Sequence, residues 1–152
     1  MVYVCEMKQI KFIVGVLLPL LTGSFIYILF RVETLKMFSW FIKLGIQEEI
    51  ELLRITFSFI RLPYWILFVL PDGLWLFSFI SFQLLVWNGI INRENVFWFL
   101  IFPFIAISSE IGQFFELISG TFDFLDLLMY VLAATLSCII YKKSIIINLS
   151  KI

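Results

Sequence analysis

Residues 108–130 read SSEIGQFFELISGTFDFLDLLMY, and this stretch decides the fold because it sets polar side chains inside otherwise membrane-grade apolar sequence. The polar side chains are Glu110, Gln113, Glu116, Asp123 and Asp126. An ionised carboxylate at the centre of a membrane helix costs about 3 kcal/mol, so such groups usually face the interior of a helix bundle. The stretch therefore predicts two membrane helices, joined by a short loop, whose acids converge.

The composition of the whole chain indicates one membrane domain. Apolar residues make up 62% of the 152 residues and charged residues 14%, with a mean hydropathy of +1.08, whereas soluble domains are about 45–50% apolar. The 11 basic and 11 acidic residues give no basic face, which argues against a nucleic-acid partner. Cys5 and Cys138 are far apart and the chain has no histidine, so we expect isolated thiols and no soft-metal site. We predict an all-α polytopic bundle in a lipid bilayer.

Apolar runs predict about four membrane helices, at residues 12–30, 73–91, 96–118 and 122–141. The first run would be about 28 Å long as a helix, close to the hydrocarbon core of about 30 Å. A signal peptide is the rival interpretation of this run. Its apolar region would be shorter, and no small-x-small cleavage site follows, so we expect an uncleaved anchor.

The segment between the first two spans differs in character. Residues 33–60 carry charged and apolar side chains in a helical pattern, which predicts an amphipathic interfacial helix or helix pair broken near Gly45. This segment would anchor the chain or dock a protein partner. Pro63, Pro71 and Gly73 discourage one unbroken helix, so residues 62–70 are expected to dip into the membrane. A fifth span over residues 56–70 is the alternative.

The distribution of lysine and arginine predicts that both termini lie in the cytoplasm. The basic residues expected on that side are Lys8, Lys11, Arg93, Lys142, Lys143 and Lys151. The loop before the last span has no lysine or arginine, although the longer first loop is basic and opposes this topology. In this topology Asp72 opens the second span on the outer side, next to Glu110 and Asp126.

Helical spacing favours an inward-facing arrangement of these groups. Glu110 and Gln113 share one face, and the last span has a stripe of residues at positions i, i+4, i+7 and i+11. The stripe consists of Asp126, Tyr130, Ala133 and Ser137. The small residues at its end would allow close helix packing.

The five polar groups of the opening stretch need not share one role. Asp123 is explained by a helix cap, together with Ser119 and Thr121. Glu116 is explained by solvation at the interface. For Glu110 and Asp126, polar contacts between helices and a functional site are both open.

The order of these residues resembles the VanZ-like family of small bacterial membrane proteins. The matching positions, within about residues 70–137, are Asp72, Glu110, Gln113, Gly120 and Asp126. The resemblance implies a multi-pass protein of the bacterial plasma membrane, linked in the family's named member to reduced sensitivity to a glycopeptide antibiotic. The chain differs from the family in having Thr121 for a loop arginine, residues 75–78 where a histidine is common, Tyr130 for asparagine and Ala133 for glycine. Without that arginine and histidine, the acids are expected to be protonated or to hold a cation.

Three functions follow as hypotheses. The first is a non-enzymatic envelope protein in which Asp72, Glu110, Gln113, Asp126 and Tyr130 bind a lipid-linked or amine-bearing ligand, since no nucleophile and base pair is present. The second is a membrane enzyme or ion-coupled carrier, with Glu110 as proton donor or the acids as ligands of Mg²⁺ or Ca²⁺. The third is an accessory or assembly subunit that docks through residues 33–60.

Overall fold

The computed structural model of the protein describes residues 9–145 and is built from helices. Cys5, Lys8 and Lys151 therefore lie outside the described residues. The helices are α1 (Gln9–Phe30, including a π-helical turn at Ile13–Leu17), α2 (Lys36–Leu44), α3 (Gln47–Thr56), α4 (Tyr64–Phe68), α5 (Leu70–Val86), α6 (Val96–Phe114) and α7 (Phe124–Tyr141). Two short strands, β1 (Ile90–Ile91) and β2 (Ser144–Ile145), pair in parallel.

Three of these helices, α1, α6 and α7, are long and apolar enough to cross a membrane. They correspond to three of the four predicted spans, and the predicted all-α class is confirmed apart from the two-residue strand pair. Helix α5 is also apolar but has 17 residues.

The predicted bounds of the second span, 73–91, were wrong at both ends. Helix α5 begins at Leu70 because Pro71 occupies its first turn, where a helix has no backbone donor to lose. It ends at Val86 because Asn88 takes a left-handed conformation (φ 54°), and the Gly89 N–H donates to the Leu84 carbonyl at 2.6 Å. This is the Schellman arrangement that commonly ends helices.

The third span also ends earlier than the predicted residue 118. Glu116 adopts a left-handed conformation (φ 58°), its N–H donates to the Gln113 carbonyl at 3.0 Å, and the Leu117 N–H donates to the Gly112 carbonyl at 2.8 Å. Glycine or asparagine is the usual residue at this position, and glutamate gives no such signal. Helix α7 then begins at Phe124, two residues after its predicted start.

Residues 33–60 form two helices, α2 and α3, and the predicted break at Gly45 (φ 72°) is confirmed. Arg54 ties α3 to the end of α1, because its Nη1 donates to the Ile28 carbonyl at 2.6 Å and its Nε lies 3.3 Å from the Glu33 carboxylate. The alternative of a fifth span over residues 56–70 is wrong, since the five-residue α4 is the longest helix between Phe57 and Val69.

Helix α5 lies at the centre of the bundle. It runs parallel to α7, as shown by the contact of Gly73 with Met129 near their starts and the hydrogen bond from Ser81 Oγ to Ser137 Oγ (3.4 Å) near their ends. Helices α1 and α6 run antiparallel to it. The core consists of Leu76, Ile80, Leu84, Phe99, Tyr130 and Ala133.

The bundle has two contrasting ends. The closed end comprises residues 87–95 and 141–145, where β1 pairs with β2 and the Lys143 N–H donates to the Gly89 carbonyl at 2.8 Å. The acidic end lies at the opposite ends of the same helices and is defined by Arg31, Asp72, Glu110, Asp123 and Asp126. Since helices α1, α5, α6 and α7 all reach it, this end is where the polar residues of different spans meet.

Candidate functional site

Four of the five residues predicted to bind a ligand come together at the acidic end. Asp72 lies in the first turn of α5, Glu110 near the end of α6, and Asp126 and Tyr130 in the first two turns of α7. Asp72, Glu110 and Asp126 are close enough for their charges to act on one another and on the Tyr130 hydroxyl. Glu110 is 4% exposed and Tyr130 is 7% exposed, so the group is recessed among the helices.

Gln113, the fifth predicted residue, lies against the loop rather than in this group. A Cβ added at Gly120 (φ 145°) would come within 2.7 Å of Gln113 Cδ and Oε1, so the amide covers the glycine backbone. The glycine is required at this turn both by its positive φ and by that close approach. Glu116 is exposed, in keeping with the solvated position expected for it.

Asp123 caps α7, which confirms the structural role predicted for it. Its Oδ1 accepts a hydrogen bond from the Leu125 N–H at 2.9 Å. Its Oδ2 accepts a second one from the Tyr64 hydroxyl at 2.9 Å, which ties α4 to α7 across the acidic end. The Asp123 carboxylate, through this hydrogen bond, raises the pKa of Tyr64 above its ordinary value.

The Asp123 backbone also joins the cap to the buried acids. Its N–H points to Glu110 Oε2 at 3.4 Å, a long hydrogen bond. The loop that separates α6 from α7 is thereby held over the Glu110 carboxyl group.

Arg31 supplies a positive charge that the sequence interpretation missed. It follows the last residue of α1, and its charge acts on Asp72 and on Asp126. The guanidinium carbon lies 5.0 Å from the Tyr27 ring centroid and 4.7 Å from the Phe68 ring centroid, so aromatic rings of α1 and α4 both contact it. Arg31 therefore brings a positive charge near the acids, and the expectation that they are protonated or hold a bound cation stays a prediction. A basic residue at the end of α1, the helix that packs on α5, was the available signal.

A wide-mouthed cavity of about 330 Å³ lies beside the acids and is lined by residues of α1, α5, α6 and α7. The polar side chains that line it are Asp72 and Tyr130. Trp75 of α5 also lines it, and its Nε1 donates to Ser24 Oγ of α1 at 3.3 Å. The remaining lining is apolar and consists of Leu20, Leu76, Phe79, Phe102, Ile105 and Ala106. The cavity volume lies at the lower end of the roughly 300–1,000 Å³ that small-molecule sites occupy.

The acids do not form a ready-made metal centre. Within residues 9–145, no group of three or more histidine, cysteine, aspartate or glutamate side chains is arranged to hold one metal ion. The expected Mg²⁺ or Ca²⁺ ligation by Asp72, Glu110 and Asp126 stays a prediction.

The chain matches no protein-family model, no curated protein and no solved structure. What it can bind is therefore argued from the geometry of the acidic end and its cavity.

Proposed function

We propose that this chain is a VanZ-like multi-pass protein of the bacterial plasma membrane that binds a lipid-linked ligand of the cell envelope at its acidic end. In this proposal the head group of the ligand lies at Asp72, Glu110, Asp126 and Tyr130, and its apolar chain lies in the adjoining cavity. A link to glycopeptide resistance belongs to the proposal only through the family resemblance.

The proposal includes a fourth span and a topology. Helix α5 would be about 25 Å long, which crosses most of a hydrocarbon core of about 30 Å, and α4 precedes it at the boundary. Four spans put both termini on one side of the membrane. The basic residues near them favour the cytoplasm for that side, and the acidic end then lies at the outer leaflet. Helices α2 and α3 would lie in the interface beside it, since Trp40 and Leu44 of α2 are 61% and 69% exposed. Helix α2 also carries lysines, and α3 carries glutamates.

One observation carries the proposal, namely the union of recessed polar groups and an apolar cavity at one end of the bundle. Asp72 and Tyr130 belong to both, because they line the cavity and their side chains interact with the acids. A water-soluble ligand would gain little from Phe79, Phe102 and Ile105, whereas an alkyl chain gains about 0.8 kcal/mol for each methylene group it buries. An amphiphile with one end polar and the other apolar fits both parts.

The test fills the cavity without touching the acids. Ala106 lines the cavity on α6, and the variant Ala106→Phe places a ring in it. The matched control is Leu100→Phe, because Leu100 is 60% exposed on the same helix and lies outside the cavity lining. The probe is a phospholipid with brominated acyl chains, added to the purified full chain in maltoside micelles, and binding is read from quenching of tryptophan fluorescence.

The contribution of Trp75 to that signal is obtained by subtracting the quenching that remains in Trp75→Phe. We expect saturable quenching of Trp75 in the unmodified chain and in Leu100→Phe, and an affinity at least tenfold lower in Ala106→Phe. Equal quenching in all of these proteins, with no saturable Trp75 component, would contradict binding in the cavity.

A further inference from the structure

Two buried polar atoms at the acidic end lack a hydrogen-bond partner. They are Arg31 Nε, a donor, and Asp126 Oδ1, an acceptor, and they are the only buried side-chain nitrogen or oxygen atoms in this condition within residues 9–143. More than nine in ten buried polar groups in native proteins are paired, and an unpaired one costs about 1–3 kcal/mol. Both atoms therefore identify the acidic end as a place where buried polar atoms lack hydrogen-bond partners.

The charges around these atoms are of both signs. The Arg31 guanidinium contacts the Tyr27 and Phe68 rings and interacts with Asp72 and Asp126. Glu110, which is 4% exposed, accepts a single hydrogen bond within residues 9–145, the 3.4 Å bond from the Asp123 N–H. The site thus offers one cation that favours a phosphate and several carboxyl groups that favour N–H donors.

Building on the function proposed above, we infer that the head group is an aminoalkyl phosphodiester, with its phosphate at Arg31 and its primary ammonium group at Asp126, Asp72 and Glu110. A guanidinium donates to phosphate oxygens in a fixed planar geometry, and Arg31 Nε gains an acceptor in this way. A primary ammonium group has three N–H donors, which serve Asp126 Oδ1 and its neighbours. The ammonium brings one positive charge to the three carboxyl groups, while the negative phosphate is matched by Arg31.

The test varies the head group while the chains stay constant. Lipids with identical brominated acyl chains carry phosphoethanolamine, phosphocholine or a bare phosphate, and soluble O-phosphoethanolamine serves as a competitor. The full-length chain in maltoside micelles is used, with quenching of Trp75 as the readout. We expect the phosphoethanolamine lipid to bind at least tenfold more tightly than the other two lipids, because phosphocholine has no N–H donor and the bare phosphate has no amine.

Variants assign each part of the head group to its residue. Arg31→Gln should weaken binding of the phosphoethanolamine lipid and the bare-phosphate lipid by similar factors. Asp126→Asn should weaken the phosphoethanolamine lipid at least tenfold and leave the bare-phosphate lipid unchanged or tighter. The controls Arg93→Gln and Glu94→Gln remove exposed charges at the closed end and should change none of the affinities.

The outcomes separate this inference from the function on which it rests. Trp75 quenching that is equal for all three lipids and unaffected by both variants overturns the head-group assignment and leaves cavity binding intact. No saturable quenching by any lipid overturns both. If soluble O-phosphoethanolamine displaces the phosphoethanolamine lipid at an equal concentration, the ligand is a soluble phosphoamine and not a lipid, and the inference that a lipid supplies the head group is overturned.

One further outcome would show that Arg31 and Asp126 pair directly with each other. If Arg31→Gln and Asp126→Asn each lower the free energy of unfolding, and the double variant loses no more than either one, the two side chains form an ion pair. Such a pair without any head-group preference overturns the inference.

Discussion

The closed end and the acidic end lie on the same helices but differ in whether their buried polar side-chain atoms are hydrogen-bonded. At the closed end, Asn95 is 1% exposed, its Oδ1 accepts from the Asn92 N–H at 2.8 Å and its Nδ2 donates to the Ile90 carbonyl at 2.8 Å. At the acidic end, Arg31 Nε and Asp126 Oδ1 are buried and unpaired. The closed end thus pairs its buried polar side chain fully. Under the proposed function, the unpaired atoms of the acidic end are the ones that a ligand would bond.

The largest effect is expected at Gly89, where the turn after α5 meets the end of α7. Gly89 has φ 78°, and a Cβ added there would overlap the Tyr141 carbonyl oxygen, so Gly89→Ala should lower the free energy of unfolding by about 3 kcal/mol. The measurement is far-UV circular dichroism during unfolding by dodecyl sulfate in mixed micelles.

Gly45→Ala is the matched control for this substitution. Gly45 has a similar φ of 72°, but nothing lies within 4 Å of its added Cβ, so only about 1 kcal/mol should be lost. Equal losses at Gly45 and Gly89 would show that crowding at the closed end contributes nothing.

Asn95→Leu should have the next largest effect. The substitution leaves the Ile90 carbonyl and the Asn92 N–H without their side-chain partners, and we expect a loss of about 2 kcal/mol in the same unfolding measurement. Arg93→Gln changes an exposed residue of the same turn and should stay within about 0.5 kcal/mol of the unmodified chain. A loss below about 0.5 kcal/mol for Asn95→Leu would contradict the stabilising role of this turn.

Asp126→Asn should leave the free energy of unfolding unchanged or raise it by up to about 1 kcal/mol. The reason is that it removes a recessed acid that lies near three other acids and whose Oδ1 has no hydrogen-bond partner among the described residues. A loss as large as that of Asn95→Leu would erase the difference between the two ends.

The smallest effect concerns the hydrogen bond from Tyr64 to Asp123. Because this bond raises the pKa of Tyr64 in the folded chain, its stabilisation is present below the unfolded value of about 10 and is lost as the pH rises through the folded value. The difference in unfolding free energy between the unmodified chain and Tyr64→Phe should therefore shrink above about pH 10.

Asp123→Asn provides the check on this assignment, since it removes the carboxylate that causes the shift. In that background, Tyr64→Phe should produce a clearly smaller pH-dependent difference. A difference of the same size in both backgrounds would assign the pH dependence to another group.

Much of the fold was predictable from hydrophobic runs, because the length of an apolar helix is set by the bilayer it crosses. The helix ends were less predictable. Asn88 and Gly89 carried a signal for a left-handed helix end, whereas Glu116 adopts the same conformation although glutamate does not usually favour it.

The candidate site was predictable only in part. Asp72, Glu110 and Asp126 could be grouped because a carboxyl group in apolar sequence is costly to expose to lipid and is expected to face the bundle interior. Arg31 could not be grouped with them, since its place depends on how the end of α1 meets the Phe68 ring of α4, and residues so distant in sequence give no local pattern. Gln113 lies within α6 as predicted, but the helix ends at Phe114 and the loop that follows brings Gly120 against the Gln113 amide.

The most direct test of the contrast between the two ends measures binding and stability on the same variant. Affinity for the brominated phosphoethanolamine lipid and the free energy of unfolding are determined for the unmodified chain and for Asp126→Asn in one detergent. A ligand-binding acidic end predicts an affinity at least tenfold lower and a stability that is equal or higher. An unchanged affinity together with a loss of stability would show that Asp126 serves the fold, and would contradict it.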